Sequence, residues 1–175
     1  MLSDTHGNIS ALESVLRWAE PCVDAAVFLG DGLRDLFAAE SATGFSHEWI
    51  KVRGNNDTVS ALPEADIFDF AGYRFFLCHG HQYHLYHSYD MLIAAALYNE
   101  ADVALFGHFH VPIFENDRIM LINPGSIGMP RSKAGSTFAV IECMPEKPLV
   151  VQFRGIAPDG TIHETVPNQG TPYRL

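Results

Sequence analysis

Ser3-Asp4-Thr5-His6-Gly7-Asn8 stands almost at the start of the chain, and its reading decides the fold. A carboxylate at Asp4 and an imidazole at His6 lie one residue apart, where an apolar beginning gives way to loop chemistry. At the end of an extended strand, residues i and i+2 point the same way, so these two side chains can grip one ion together. Taken alone, the stretch reads more readily as a turn and helix cap, because Gly7-Asn8 leads into a helical pattern. Further ligands at later strand ends would separate the two readings.

Met1 to Ser3 can be no more than the tail of a strand. From Asn8 onward, Ile9, Leu12, Val15, Leu16 and Ala19 recur at spacings of three and four, which predicts an amphipathic helix ending before Pro21. Ala25 to Leu29 is continuously apolar, as buried parallel strands are, and runs into Gly30-Asp31-Gly32. Residues 33–45 read as partly helical. Trp49 to Val52 is a short strand ending in Arg53-Gly54-Asn55-Asn56-Asp57. Ile67 to Phe70 and Tyr73 to Cys78 flank Ala71-Gly72 as a hairpin that ends at His79-Gly80-His81. Tyr86 to Asn99 reads as a helix, with His84, His87, Tyr83, Tyr86 and Tyr89 at its amphipathic start. Val103 to Phe106 is a strand closing in Gly107-His108-Phe109-His110. Strands follow at 112–114, 119–122, 137–141 and 149–153, and 161–163 reads as an edge strand. The spacing predicts one domain over 1–157 and an irregular tail over 158–175.

Five strand ends thus deliver the same kind of residue: Asp4 with His6, Asp31, Asn55, His79, and His108 with His110. In an open α/β sheet the carboxyl ends of the strands lie along one edge, so these distant side chains would converge in one crevice. Imidazoles, carboxylates and an amide carbonyl without thiolates suit first-row ions such as manganese, iron, cobalt, nickel or zinc better than calcium or magnesium. Seven ligands exceed what one such ion takes and match two ions sharing a carboxylate, for which Asp31 is the natural bridge.

Composition narrows the partners. The formal charge of −10, with 21 acidic against 11 basic residues, argues against long nucleic acid and against an anionic membrane surface. A small anionic substrate stays open, because bound divalent ions invert the local field. The odd set Cys22, Cys78 and Cys143 suggests neither disulfides nor a thiolate cluster, and points to the cytoplasm. Oligomeric state is not legible.

Asp4-Thr5-His6, Gly30-Asp31, Gly54-Asn55-Asn56-Asp57, His79-Gly80-His81 and Gly107-His108-Phe109-His110 resemble, in order, the five motifs of the calcineurin-like metallophosphoesterases. Asn123 to Ser126 and Pro130-Arg131 bring the resemblance closest to the small YfcE-type phosphodiesterases. The resemblance implies an α/β fold of four layers, an α/β/β/α sandwich with two mixed sheets. It also implies two divalent metal ions, manganese foremost, with Asp4, His6 and His110 on the first, Asn55, His79 and His108 on the second, and Asp31 bridging. The implied reaction is hydrolysis of a small phosphodiester by a hydroxide bridging the metals, since such a pair acidifies a shared water and clamps the phosphoryl oxygens.

Many relatives place a histidine where this chain has Asn56, which removes an obvious general acid and favours activated leaving groups. His81 is then the candidate proton donor, Asn56 and Arg131 are candidate substrate contacts, and Asp57 orients a neighbour at the catalytic loop. Two other readings attach to the resemblance: a non-catalytic scaffold like the retromer subunit Vps29, and a phosphomonoesterase or nucleotide pyrophosphohydrolase.

Overall fold

The computed structural model describes residues 1–58 and 61–167. Helix α1 (Ile9–Ala19) starts where the Asn8 side chain accepts from the Ala11 N–H, and it buries Leu12, Val15, Leu16 and Ala19 along one face. Strand β1 (Ala25–Phe28) follows, then α2 (Leu33–Thr43) and β2 (Glu48–Lys51). The partly helical reading of 33–45 understates α2, which is regular throughout and ends at Gly44 with a φ of 71°. β3 (Ala65–Phe70) and β4 (Tyr73–Cys78) form a hairpin across Ala71 and Gly72, both at positive φ, as a tight turn that follows strand twist demands.

The helix expected from Tyr86 begins later, as α3 (Asp90–Tyr98), after a short 3-10 turn at His81–Tyr83. His84 is left-handed at φ 50°, and the turn bonds from Tyr83 N–H to Gly80 O and from His87 N–H to His84 O replace a helical ladder there. The remaining strands are β5 (Val103–Phe106), β6 (Pro112–Asn116), β7 (Met120–Pro124), β8 (Ser136–Glu142), β9 (Val150–Ile156) and β10 (Ile162–Thr165). β10, at the edge of its sheet and antiparallel to the C-terminal part of β9, is the edge strand expected over 161–163; residues 168–175 lie outside the described residues.

One sheet runs β3-β4-β5-β7-β6, with parallel pairs at its centre and antiparallel edges. The other is assembled from a parallel pair, β1-β2, and an antiparallel run, β8-β9-β10. Met1 and Leu2 join those halves. The N–H of Leu2 donates to Val27 O and that of Leu29 to Leu2 O, both at 2.9 Å, while on the far side Ala139 N–H donates to Met1 O at 3.1 Å. An apolar cavity of about 340 Å³ is bordered by Met1, Ala26, Trp49 and Phe138.

Three apolar clusters set the layers. Leu12, Leu16, Leu33 and Leu36 seat α1 and α2 on Phe28 and Phe138 of one sheet, and Leu92 and Ala96 seat α3 on Phe76 and Phe106 of the other. Between the sheets lie Leu29, Val52, Phe75, Leu77, Val103, Leu105, Ile122 and Phe153. Each fully buried leucine or phenylalanine here contributes about 1.5–3 kcal/mol relative to exposure. The result is the four-layer α/β/β/α arrangement with two mixed sheets.

Candidate metal centre

The C-terminal ends of β1, β2, β4 and β5 open onto one edge of the sandwich, and the loops there carry the residues singled out above. Among the described residues, five of the nine non-glycine residues with positive φ are Asp4 (56°), His6 (41°), Asp31 (59°), His108 (67°) and His110 (61°). A left-handed backbone at a residue with a Cβ is unfavourable, and such outliers persist where the surroundings fix them. Strain therefore collects on the candidate ligands.

The surroundings that hold them are specific. Asp4 uses Oδ2 to accept from Ser3 Oγ at 2.6 Å and from the His108 N–H at 3.0 Å, which leaves Oδ1 buried and without a donor. That oxygen faces His110 Nε2 at 3.1 Å, His6 Nε2 at 3.7 Å and His79 Nε2 at 4.0 Å. His110 gives its Nδ1 proton to Met129 O at 2.7 Å and His79 gives its own to Leu29 O at 2.8 Å. Both rings thereby turn Nε2 lone pairs inward. Asp31 Oδ2 lies 3.4 Å from His79 Nε2 and 3.9 Å from His6 Nε2, between the two imidazoles.

Convergent lone pairs on buried atoms are unfavourable unless a proton or a cation sits among them. Asp4, His6 and His110 make one such group and Asp4, Asp31 and His79 a second, so Asp4 belongs to both. The donors, nitrogen and carboxylate oxygen with no thiolate, fit borderline divalent ions. In each fixed imidazole the backbone carbonyl sets the tautomer, as it does for metal-binding histidines.

The electrostatics agree. Burial opposes charge on Asp4, but hydrogen bonding to His110 and His6 and the field of His79 outweigh it and hold the carboxyl well below the usual carboxylate range. For Asp31, burial is likewise outweighed by His79 and by Asn56. The Asp4 carboxylate raises His6, and the Asp31 carboxylate with Asp4 raises His79 against the effect of its burial. Burial, then the charge on His79, pushes His108 down to about 4, so its ring is neutral at pH 7.

The other sequence-derived residues fall into distinct places. His108 packs its ring against His79 with centroids 5.1 Å apart, outside the two tight groups. Asn55 is exposed at the rim, and Asn56 lies over Asp31, its N–H donating to Oδ1 at 2.8 Å and its side chain to Oδ2. Asp57 does not reach the centre. Its carboxylate accepts four backbone N–H groups, from Asp31, Gly32, Leu33 and Gly54 at 2.8–2.9 Å, so it is a positioning residue that caps α2 from another loop. His81 stands beside His79 with its Nδ1 buried and without a partner; burial and the charge on His79 lower its pKa.

Sequence reasoning missed the supporting roles of four residues. Asp35 of α2 holds the loop after Met1–Ser3 by accepting from Thr5 Oγ1 and the Gly7 N–H. Ser126 Oγ donates to Asp4 O and accepts from the Met129 N–H, and Asn123 donates to Gly107 O. Tyr86, expected in a helix, packs its ring edge-on against His108.

Residues 1–146 match the calcineurin-like phosphoesterase superfamily domain. The chain belongs to that superfamily. It is 36% identical over 137 residues to a "Probable metallophosphoesterase" of Mycoplasma pneumoniae, covering 75% of this chain and 80% of the relative. It is 26% identical over 142 residues, 81% of each chain, to "Probable metallophosphoesterase YsnB" of Bacillus subtilis. Among solved structures, a predicted phosphoesterase of Streptococcus pneumoniae superposes with a TM-score of 0.75 at 27% identity, covering 94% of both chains. Zinc-complexed Vps29 of Entamoeba histolytica, at 17% identity, shares the fold with a TM-score of 0.73 over 93% of both chains. This phosphoesterase chain therefore has a metal-dependent family's motifs folded into candidate ligand groups.

Proposed function

We propose that this phosphoesterase binds two divalent metal ions and hydrolyses a small phosphodiester. The observation that supports the reading is the convergence of His110 Nε2, His6 Nε2 and Asp4 Oδ1, with His110 Nε2 3.1 Å from Asp4 Oδ1 and 3.3 Å from His6 Nε2, while His110 Nδ1 and Asp4 Oδ2 are committed elsewhere. Asp4, His6 and His110 would hold the first ion and Asn55, His79 and His108 the second, with Asp31 between them. Manganese is the first choice, with nickel, zinc, iron or cobalt as alternatives that the same donors accept. When bound, such a pair supplies an acidified water and positive charge at the phosphoryl oxygens.

The protein's own groups have defined parts. Leu29 O and Met129 O hold the Nδ1 protons of His79 and His110, so that in the neutral rings it is Nε2 that carries the lone pair toward the centre. Asn56 orients the Asp31 carboxylate and its exposed side faces the entry, where an ester oxygen would approach. Because Asn56 carries no titratable proton, departure of the leaving group relies on His81 or on the leaving group's own stability, which favours phenolate-type esters. The setting we infer is the cytoplasm: the three cysteines are free and no helix among the described residues is long and apolar enough to cross a membrane. Acidic net charge favours a small phosphoester over long nucleic acid or a membrane surface as partner.

The test is turnover of bis-p-nitrophenyl phosphate with manganese, alongside p-nitrophenyl phosphate and a dinucleoside polyphosphate. The diester is expected to be the best substrate, and Asp31→Ala is expected to abolish its hydrolysis. A wide preference for the monoester or polyphosphate would move the substrate class. No turnover of any ester would favour the scaffold reading that the Vps29-like fold suggests.

A further inference from the structure

In a chain so rich in acid, an arginine without a carboxylate partner is the exception. Among the described residues Arg17, Arg53, Arg74, Arg118 and Arg154 each have a carboxylate oxygen within 3.2 Å. Arg34 and Arg131 instead donate to neutral hydroxyls, those of Thr58 and Tyr86. Arg34 opens helix α2, whereas Arg131 lies on the loop between β7 and β8 and is tied to the metal centre at two points. Its backbone N–H donates to His110 O at 2.9 Å, and its Nη1 donates to the Tyr86 hydroxyl at 3.1 Å. Tyr86 in turn rests edge-on against His108, centroids 5.7 Å apart, and against Phe109 at 4.9 Å. Backbone and side chain of Arg131 are thus referenced to the two imidazoles of the Gly-His-Phe-His loop.

A guanidinium has five N–H donors in a flat fork, and the Tyr86 contact occupies only one of the nitrogens. The remaining edge matches two oxygens of one phosphoryl group in a bidentate grip. We propose that Arg131 is the anion-recognising residue of a subsite at the rim of the centre, taking the non-bridging oxygens of a phosphodiester, and that Tyr86 is its positioning residue. The hydroxyl sets the guanidinium's direction, and the ring, braced on His108, sets the hydroxyl. This rests on the phosphodiesterase reading for its substrate, and the test is built to separate the two.

Two readouts on the full manganese-loaded chain decide it: steady-state hydrolysis of bis-p-nitrophenyl phosphate, and calorimetric binding of dimethyl phosphate, whose alkoxide is too poor a leaving group to react on that timescale. Arg131→Gln is expected to raise KM about tenfold with kcat within about threefold, and to weaken dimethyl phosphate about tenfold, the size of a lost charge-assisted pair. Arg131→Lys recovers part of this, because a point charge replaces the fork. Tyr86→Phe keeps the ring packing and is expected to raise KM about threefold. Combined with Arg131→Gln, it adds nothing further, a coupling that a merely structural tyrosine would not show. Arg118→Gln, on an exposed pair with Asp90, leaves both readouts unchanged. An unchanged dimethyl phosphate affinity in Arg131→Gln, or additive effects in the double variant, overturns the proposal. If no ester turns over but dimethyl phosphate binding still depends on Arg131, the phosphodiesterase reading fails and the subsite stands.

Discussion

His110 Nε2 and Asp4 Oδ1 face each other at 3.1 Å, with His6 Nε2 a further 3.3 Å from the imidazole nitrogen and the carboxylate oxygen buried without a hydrogen-bond partner. Two electron-pair donors at that distance need something positive between them, and only a proton or a metal ion is small enough. The competition between these two occupants makes the centre a pH-dependent cation site.

Without metal, the pKa of His6 and of His79 is raised above the ordinary 6.5, and those of Asp4 and Asp31 are lowered below 3.8. The raised imidazoles contribute stability that is fully present below pH 6.5 and is lost as pH rises through their folded values. The depressed carboxylates contribute stability present above pH 3.8 and lost as pH falls through theirs. The metal-free protein should therefore be most stable in the acidic window between those limits. A divalent ion must displace the imidazole protons, so the gain in Tm with manganese should grow from pH 6 to pH 8. Calorimetry in buffers of different ionisation enthalpy should show protons released on binding. A metal-induced Tm shift that is flat across this range would contradict the placement of the cation among these groups.

Asp57 ties the Asp31 loop to its own, with four N–H donors on one carboxylate. Asp57→Ala strands those donors at the start of α2 and should destabilise the protein by about 2–4 kcal/mol in urea melts. Asp57→Asn, which keeps acceptors but adds donors facing N–H groups, should fall between. Gly54 tests the same junction from the other side, because a Cβ there would lie 2.1 Å from Asp31 Oδ1. Gly54→Ala should lower stability as well as weaken manganese binding, since the same Cβ would lie 2.6 Å from the Asp31 backbone N, a clash that a swing of the carboxylate cannot relieve.

The parts of this architecture that were legible in the sequence are those carried by local periodicity. The three-and-four spacing of Leu12, Val15, Leu16 and Ala19 specifies α1, and the unbroken Val103 to Phe106 marks a strand buried on both faces, because a helix or strand must match its own repeat to its burial. The residues at strand ends were legible because polar loop chemistry after an apolar run stands out against background. Asp57 capping α2, Asp35 bracing Thr5 and Tyr86 reaching Arg131 were not, as each joins positions more than twenty residues apart and nothing in either local pattern records the other. The delayed start of α3 has the same cause: Tyr86 fits a helical pattern, yet the chain at His84 turns left-handed and the ring goes to His108. Left-handed φ values at Asp4, His108 and His110 are likewise imposed by tertiary contacts, against the preference of those residue types.

Leu2 holds the two halves of one sheet together. It is 4% exposed, its backbone pairs with β1, and the residue before it pairs with β8. Leu2 belongs to the buried cluster under α1 and α2 and also lines the cavity there, so a further void is poorly healed by collapse. Leu2→Ala should cost about 3–5 kcal/mol, toward the upper end for such truncations. Leu97→Ala, at a position 46% exposed, should stay within about 0.5 kcal/mol. Equal effects at the two positions would show that the Leu2 side chain is not part of the core under β1 and β8.

His81 differs from its neighbours in having a buried Nδ1 without a partner while its ring lies 5.6 Å from His79 and 6.3 Å from His108. Burial and the charge on His79 lower its pKa, so the protonated fraction available for donation shrinks as pH rises toward 7. If His81 delivers a proton to the leaving group, its importance should scale with how much that group needs one. A p-nitrophenolate departs unaided, so His81→Ala should change its release by less than about threefold, whereas a diester with an alkoxide leaving group should lose about a hundredfold. The alkyl ester's rate in the parent protein should also fall as pH rises through 6–7, while the nitrophenyl ester's should not. Equal losses on both esters would identify His81 as packing support for His79, because support of a metal ligand serves every substrate alike.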